Sequence, residues 1–304
     1  MPTPSSPSAA APGRSGPLQA GNSGGILFMV LAMACFALED MAVKRIAETL
    51  PVGELLVLFG LGGMAVFAAL TRARGERLLH PAMLSRVMLL RAVFEVAGRL
   101  FFTLSLALAA LSTTSAILQA TPLVVAAAGV AFFGERVTPG RWAIIALGFA
   151  GVLLVIRPGL DGFTPLSMLA LLGMFGFAGR DLATRAAPPI LSFAQLGITG
   201  FAALVVAGAL VSPSGDAWLM PSPAALGWLG FAMAVGVLAY TALTLAMRMG
   251  EISVVAPFRY IRLLFAMILA ALVFGERPDA AELLGAAVIV GSGVLLLVTS
   301  RRRR

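Results

Sequence analysis

The tetrad Phe133-Gly134-Glu135-Arg136 returns 141 residues later as Phe274-Gly275-Glu276-Arg277. The same offset pairs Phe36 with Phe177, Asp40 with Asp181, Lys44 with Arg185 and Glu54 with Gln195. At an offset two residues shorter, Leu104-Ser105-Leu106-Ala107-Leu108 lies over Leu243-Thr244-Leu245-Ala246-Met247. The chain is therefore two tandem copies of one unit of about 140 residues, and a fold that suits one copy must suit the other. Each tetrad stands between two long apolar runs. It reads as a tight turn in which glycine bends the backbone and the charged pair stays at a water-facing end.

What surrounds the turns excludes a soluble fold. Of 304 residues, 60% are hydrophobic and 12% charged, with a mean hydropathy of +0.98. Soluble chains carry about 25% charged residues. Ten apolar runs approach the ~20 residues that cross a bilayer as helix: 24–43, 52–71, 85–108, 112–133, 139–156, 165–184, 190–211, 224–247, 252–274 and 280–299. The expectation is an all-α integral membrane protein with ten transmembrane helices, five in each copy. Residues 1–23, rich in Pro, Ser, Ala and Gly, read as a disordered cytoplasmic tail. The first repeat spans 24–156, a linker 157–164, the second repeat 165–299, and residues 300–304 form a basic cytoplasmic tail.

Lys and Arg set the orientation, because they accumulate on the cytoplasmic side. With the N-terminus inside, thirteen fall on the cytoplasmic side and four on the other, and both termini are cytoplasmic. Arg91, Arg99, Arg180, Arg259 and Arg262 fall within predicted spans. Because five is odd, the second copy enters the membrane from the opposite side and the repeats are inverted. Such halves rock about a site near the midplane and admit solute from alternate sides.

Charges inside a bilayer cost ~2.5 to 3.5 kcal/mol each at the centre, so those retained are site candidates. Arg91, Glu95 and Arg99 recur every fourth residue and share one helix face. They read as a cavity-lining stripe or as a self-neutralised ladder packed between helices. In the ninth span Pro257 removes a helical hydrogen bond beside Arg259, Tyr260 and Arg262, whose donors suit a carboxylate or a carbonyl-rich ring. Gln119 and Thr121 are neutral candidate ligands, and Tyr240 is a candidate stacking group. Asp40 and Asp181 are expected at equivalent depths from opposite faces. They serve as gates or proton acceptors with Glu39, or pair locally with Lys44 and Arg185.

Other chemistries lack their residues. The one histidine, His80, and the one cysteine, Cys35, build no metal site, nucleophile or intrachain disulfide. No Gly-Lys phosphate loop is present, the basic residues are not interleaved with aromatics, and neither ATP nor nucleic acid is an expected partner. A polytopic membrane enzyme would need an acid/base pair or a metal set clustered at one depth, and no such set stands out. Glu135 and Glu276, in the turns, read as topological anchors.

The two Phe-Gly-Glu-Arg turns, the five-plus-five layout and Thr121-Pro122 together resemble the drug/metabolite transporter superfamily, in its ten-helix branch with two EamA domains, over residues 24–299. One departure is local: Pro278-Asp279 follows Arg277 where the first copy has Val137-Thr138. Pro257-Phe258-Arg259-Tyr260 is similar to a segment of superfamily members that carry larger metabolites. The resemblance implies a cofactor-free secondary transporter of the bacterial inner membrane, monomer or homodimer, with a small organic solute as partner. Uptake of riboflavin or S-adenosylmethionine is the similar case, and export of amino acids is the alternative.

Overall fold

The computed structural model describes residues 22–108, 117–156, 167–212, 218–274 and 279–301. Among these residues the chain is helical and has no strand. The helices are α1 (Asn22–Ala47), α2 (Val52–Ala73), α3 (Arg86–Leu108), α4 (Thr121–Phe133), α5 (Pro139–Ile156), α6 (Ser167–Arg185), α7 (Phe193–Val211), α8 (Pro223–Arg248) and α10 (Ala280–Arg301). Between α8 and α10 runs α9, in three consecutive pieces: Ile252–Val255, the 3₁₀ turn Ala256–Tyr260, and Ile261–Phe274. Each helix lies on one of the apolar runs. Most of the tail, the linker, the Gly275-Glu276-Arg277 turn and Arg302 to Arg304 lie outside the described residues.

Local chemistry sets the helix ends. Ser192 accepts from the Gln195 amide while the Gln195 side chain accepts from the Ser192 amide, a reciprocal cap on α7. Ser222 caps α8 in the same sense through the Ala225 amide. At the end of α4, Gly134 takes φ +64°, a left-handed conformation that glycine adopts without steric cost. That bend aims Glu135 at α9, where its carboxylate accepts from the amides of Ile252 (2.8 Å) and Ser253 (3.0 Å). The tetrad's acid thus satisfies orphan donors at the start of another helix, and it favours the positive end of that helix dipole. Arg141 pairs with Glu251 at 2.6 Å alongside it. In α9 itself, Pro257 offers no amide, and the backbone tightens to 3₁₀ around it.

Among the described residues, five helical stretches are long and apolar enough to cross a membrane: α1, α2, α7, α8 and Ile252–Leu269 of α9. Their surroundings are apolar too. Leu89, Leu90 and Val93 of α3 and Leu283, Leu284 and Val290 of α10 point outward and are exposed. Such a surface is stable against lipid rather than water.

The helices pack most closely in four pairs: α1 with α8, α2 with α7, α3 with α6, and α5 with α10. All four are antiparallel, as the facing residues show: Gly53 meets Gly208 while Phe67 meets Gly197, and Phe94 meets Gly179 while Phe102 meets Gly173. Small residues let the backbones touch. A Cβ on Gly176 would lie 2.5 Å from the Gly98 nitrogen, and one on Gly285 would lie 2.7 Å from the Gly151 carbonyl oxygen. Backbone cannot swing aside, so Gly176→Ala is expected to force α3 and α6 apart and cost at least about 1 to 3 kcal/mol, the range for overpacking. Gly230, on the outward face of α8, has nothing within 4 Å of the equivalent position. Gly230→Ala should leave stability unchanged or slightly higher. Melting of the two purified variants in one detergent checks the contrast.

Candidate functional site

Where α1, α3, α4, α6 and α9 converge, they enclose a cavity of ≈ 90 Å³. Each helix contributes charge, dipole or ring. From α1 come Phe36, Glu39 and Asp40; from α3, Arg99 and Phe102; from α6, Phe177 and Arg180; from α9, Arg259 and Arg262. Gln119, Thr121 and Pro122 close the wall at the start of α4. Four arginines and two carboxylates therefore face a space with an aromatic floor.

The arginines are held by carboxylates from other helices. Arg262 makes a bidentate pair with Asp40, Nε at 3.0 Å from Oδ2 and Nη2 at 2.6 Å from Oδ1. Arg259 donates to Asp181, which also pairs with its neighbour Arg180 at 2.8 Å. Arg180 in turn donates to Glu95 at 3.0 Å. Stacking repeats in the two halves: the Arg262 guanidinium sits 5.2 Å from the Phe36 ring centre, and Arg180 sits 5.3 Å from Phe177. A guanidinium over a ring gains roughly 0.5 to 2 kcal/mol according to desolvation. Planar cations clamped by carboxylates on one edge keep donors free on the other. The site can thus hold a carboxylate, phosphate or carbonyl while the rings receive a flat apolar part.

Behind this wall lies a second, fully buried polar cluster. Arg91 donates Nε to Thr184 at 2.9 Å and Nη1 to Thr199 at 3.0 Å, and it also donates to the Tyr240 hydroxyl. Tyr240 donates to Glu95 Oε2 at 2.9 Å, and its ring packs edge-on to Phe67 and Phe201. One arginine thereby ties α3 to α6, α7 and α8.

Two segments of the chain, residues 23–157 and 165–299, match the model sequence of the EamA-like transporter family. The chain belongs to the EamA-like transporter family. It is 25% identical to an S-adenosylmethionine uptake transporter of Rickettsia bellii over 71% of this chain and 74% of that protein. It is 26% identical to a riboflavin transporter of Rhizobium johnstonii over 92% of each. A pseudopaline exporter of Pseudomonas aeruginosa is also 26% identical, over 91% of this chain and 97% of that one. A crystal structure with 19% sequence identity superposes with a TM-score of 0.74, covering 93% of this chain and 99% of its own, and shares the fold. This EamA-like protein is a multi-pass membrane transporter.

Its cavity collects some of the expected site residues and leaves out others. Arg99, Gln119, Thr121, Arg259, Arg262, Glu39 and Asp40 line the cavity. Asp181 is one step behind, bonded to the lining Arg259 and Arg180. Arg91, Glu95 and Tyr240 do not line it: the stripe on α3 divides, with Arg99 at the cavity and the other two locked in the buried cluster. Tyr260 also points away, packing with Val152 and Ile289. Asp181 does not take the i+4 partner that spacing permits. Asp181 binds Arg180 and Arg259 rather than Arg185, and Asp40 binds Arg262. The two carboxylates therefore meet α9 at arginines three residues apart. Arg180, Phe36 and Phe177 join the site without having been singled out for it. The repeat offset was the available signal, because it pairs Phe36 with Phe177 and places Arg180 opposite Glu39.

The two aspartates differ in what they would cost to lose. Asp181 is 1% exposed between two arginines, whereas Asp40 is 55% exposed. Asp181→Asn should destabilise the protein by about 3 to 5 kcal/mol, because it strands buried cations. Asp40→Asn should cost about 1 kcal/mol or less. Unfolding by SDS titration of the two variants measures the difference.

Proposed function

We propose that this protein is a secondary transporter that moves a small organic metabolite across the bacterial inner membrane by alternating access. Ten spans in two inverted repeats would carry out the movement. The packing supports inversion: the repeat-related helices α2 and α7 lie side by side and antiparallel, as do α5 and α10, and the pair α1 with α8 corresponds to the pair α6 with α3. Exchanging the two halves maps this set of contacts onto itself.

The observation that carries the reading is the cavity in which Arg99, Arg180, Arg259 and Arg262 converge over Phe36 and Phe177. Its chemistry fits a solute with a flat or heteroaromatic part and anionic or carbonyl acceptors. Such features are shared by vitamin-like and nucleoside-like metabolites, in line with the riboflavin and S-adenosylmethionine transporters among the relatives. At ≈ 90 Å³ the cavity is well below the ~300 to 1,000 Å³ of sites that surround a metabolite. The helices must therefore part to admit one, which is the movement alternating access supplies. Uptake is the favoured direction; the pseudopaline exporter among the relatives supports the opposite one.

Flux of radiolabelled S-adenosylmethionine and of riboflavin into proteoliposomes tests the reading, with export assayed from preloaded vesicles. Arg99→Ala and Arg262→Ala should each reduce flux roughly ten- to a hundredfold, as expected when a charge-assisted hydrogen bond is lost. Unchanged flux in both would remove the arginines from the transport path. Topology is checked separately by reporter fusions after Arg77 and after Pro213. The first should report the cytoplasm and the second the opposite side; equal readings would exclude inverted repeats.

A further inference from the structure

The two carboxylates lining the cavity are neighbours in sequence and opposites in circumstance. Asp40 is exposed and clamped by Arg262. Glu39 is 5% exposed, and among the described residues neither of its oxygens has a hydrogen bond or an ion-pair partner. The space it occupies is shaped for it. A Cβ on Gly236 of α8 would come within 3.1 Å of Glu39 Oε2 and 2.6 Å of the Phe59 ring. From α8, then, Glu39 faces bare backbone, and the neighbouring part of α2 is the Phe59 ring.

The charged and titratable groups around it come from other directions. Arg99 faces it from α3 and Arg262 from α9, with Asp40 and Cys35 on its own helix. Both cations are engaged elsewhere: Arg262 holds Asp40, and Arg99 lies 5.7 Å from the Phe177 ring centre and 3.9 Å from Glu95. A carboxylate left ionised in such a place keeps only the cavity side open and gains no partner, which disfavours the charged form. A neutral carboxylic acid avoids that cost.

We infer that Glu39 is the proton-carrying site of the transporter. It holds a proton in this conformation, taken from water through the cavity. It returns that proton to water on the other side once rearrangement of the helices hands it Arg99 or Arg262 as a partner. Solute movement is thereby coupled to proton movement. The coupling half of this inference rests on the transport function proposed above; the proton site itself does not.

Infrared difference spectra of the protein in lipid vesicles, recorded between about pH 5 and 9, read the proton directly. The wild type and Asp40→Asn should show a titrating protonated-carboxyl C=O band that Glu39→Gln lacks. Glu39→Asp, which keeps the acid, should retain such a band, so loss in Glu39→Gln is not a failure to fold. An undiminished band in Glu39→Gln overturns the assignment. For coupling, flux of S-adenosylmethionine and riboflavin is measured at clamped voltage with and without a pH gradient. The gradient should change wild-type flux severalfold and leave Glu39→Gln flux unaltered. A Glu39→Gln protein that responds as the wild type does overturns the coupling. If neither solute moves in the wild type, the choice of solute fails, and the infrared band still decides the proton site.

Discussion

Neutralisation of ionised groups held away from water is the constraint on which the rest of this structure depends. Arg91, Glu95, Arg180 and Asp181 are all nearly or fully buried, in a protein whose outer surface meets lipid. None could persist there alone, because the field of a buried charge must be met by an opposite one. The pairing solves this across helices rather than within them. Glu95 of α3 takes Arg180 of α6, Asp181 of α6 takes Arg259 of α9, and Arg262 of α9 takes Asp40 of α1. This chain of contacts links both copies of the repeat. Moving any one helix strands a charge on the next, so the helices shift as linked bodies or exchange partners in concert.

Such a network also needs the backbones close enough for short reach. Glycines facing one another in α3 and α6 supply that proximity in the middle of the network, where Gly98 and Gly176 touch. At the edge, Glu135 holds the first turn of α9 and positions the Pro257 break. The 3₁₀ turn that follows carries Arg259 into the cavity and turns Tyr260 out of it. The first tetrad therefore acts on the site indirectly, by anchoring the helix that carries two of its arginines.

Much of this was legible in the sequence because membrane segments are constrained by hydrophobicity and length. The run expected at 139–156 coincides with α5, and most other helix ends fall within a few residues of expectation where they are described, but α4 begins at Thr121 rather than at 112. The turn glycine follows from residue type alone, whereas the contact of Glu135 with the start of α9 does not. What a sequence conceals is which face of a helix meets which neighbour. Arg91, Glu95 and Arg99 do share a face, yet only Arg99 reaches the cavity, because the other two are covered by α6, α7 and α8. Local spacing likewise favoured Asp181 with Arg185, a pair worth a few tenths of a kcal/mol in water. In a dry interior Arg180 and Arg259 prevail. A partner 78 residues away is invisible to any rule about neighbours.

The repeat makes the remaining asymmetry of the cavity informative. At the 141-residue offset, Phe36 corresponds to Phe177 and Asp40 to Asp181, so the aromatic rings and the clamping carboxylates are duplicated. Other lining positions are not: Glu39 corresponds to Arg180, Leu118 to Arg259 and Thr121 to Arg262. At these three positions the first copy is acidic or neutral where the second is basic, while Arg99 of the first copy falls on the neutral Tyr240. On the alternating-access reading proposed above, halves that differ in charge give access states of different energy, although a solute with no coupled gradient still equilibrates. On that reading the states differ, since Arg180 has Glu95 and Asp181 beside it and Glu39 has no such partners among the described residues. Charge asymmetry on a repeated frame would therefore set a resting preference. On the proton-site reading proposed above, a proton on Glu39 would change the charge there by a full unit at one of the positions where the halves differ, and so would shift that preference.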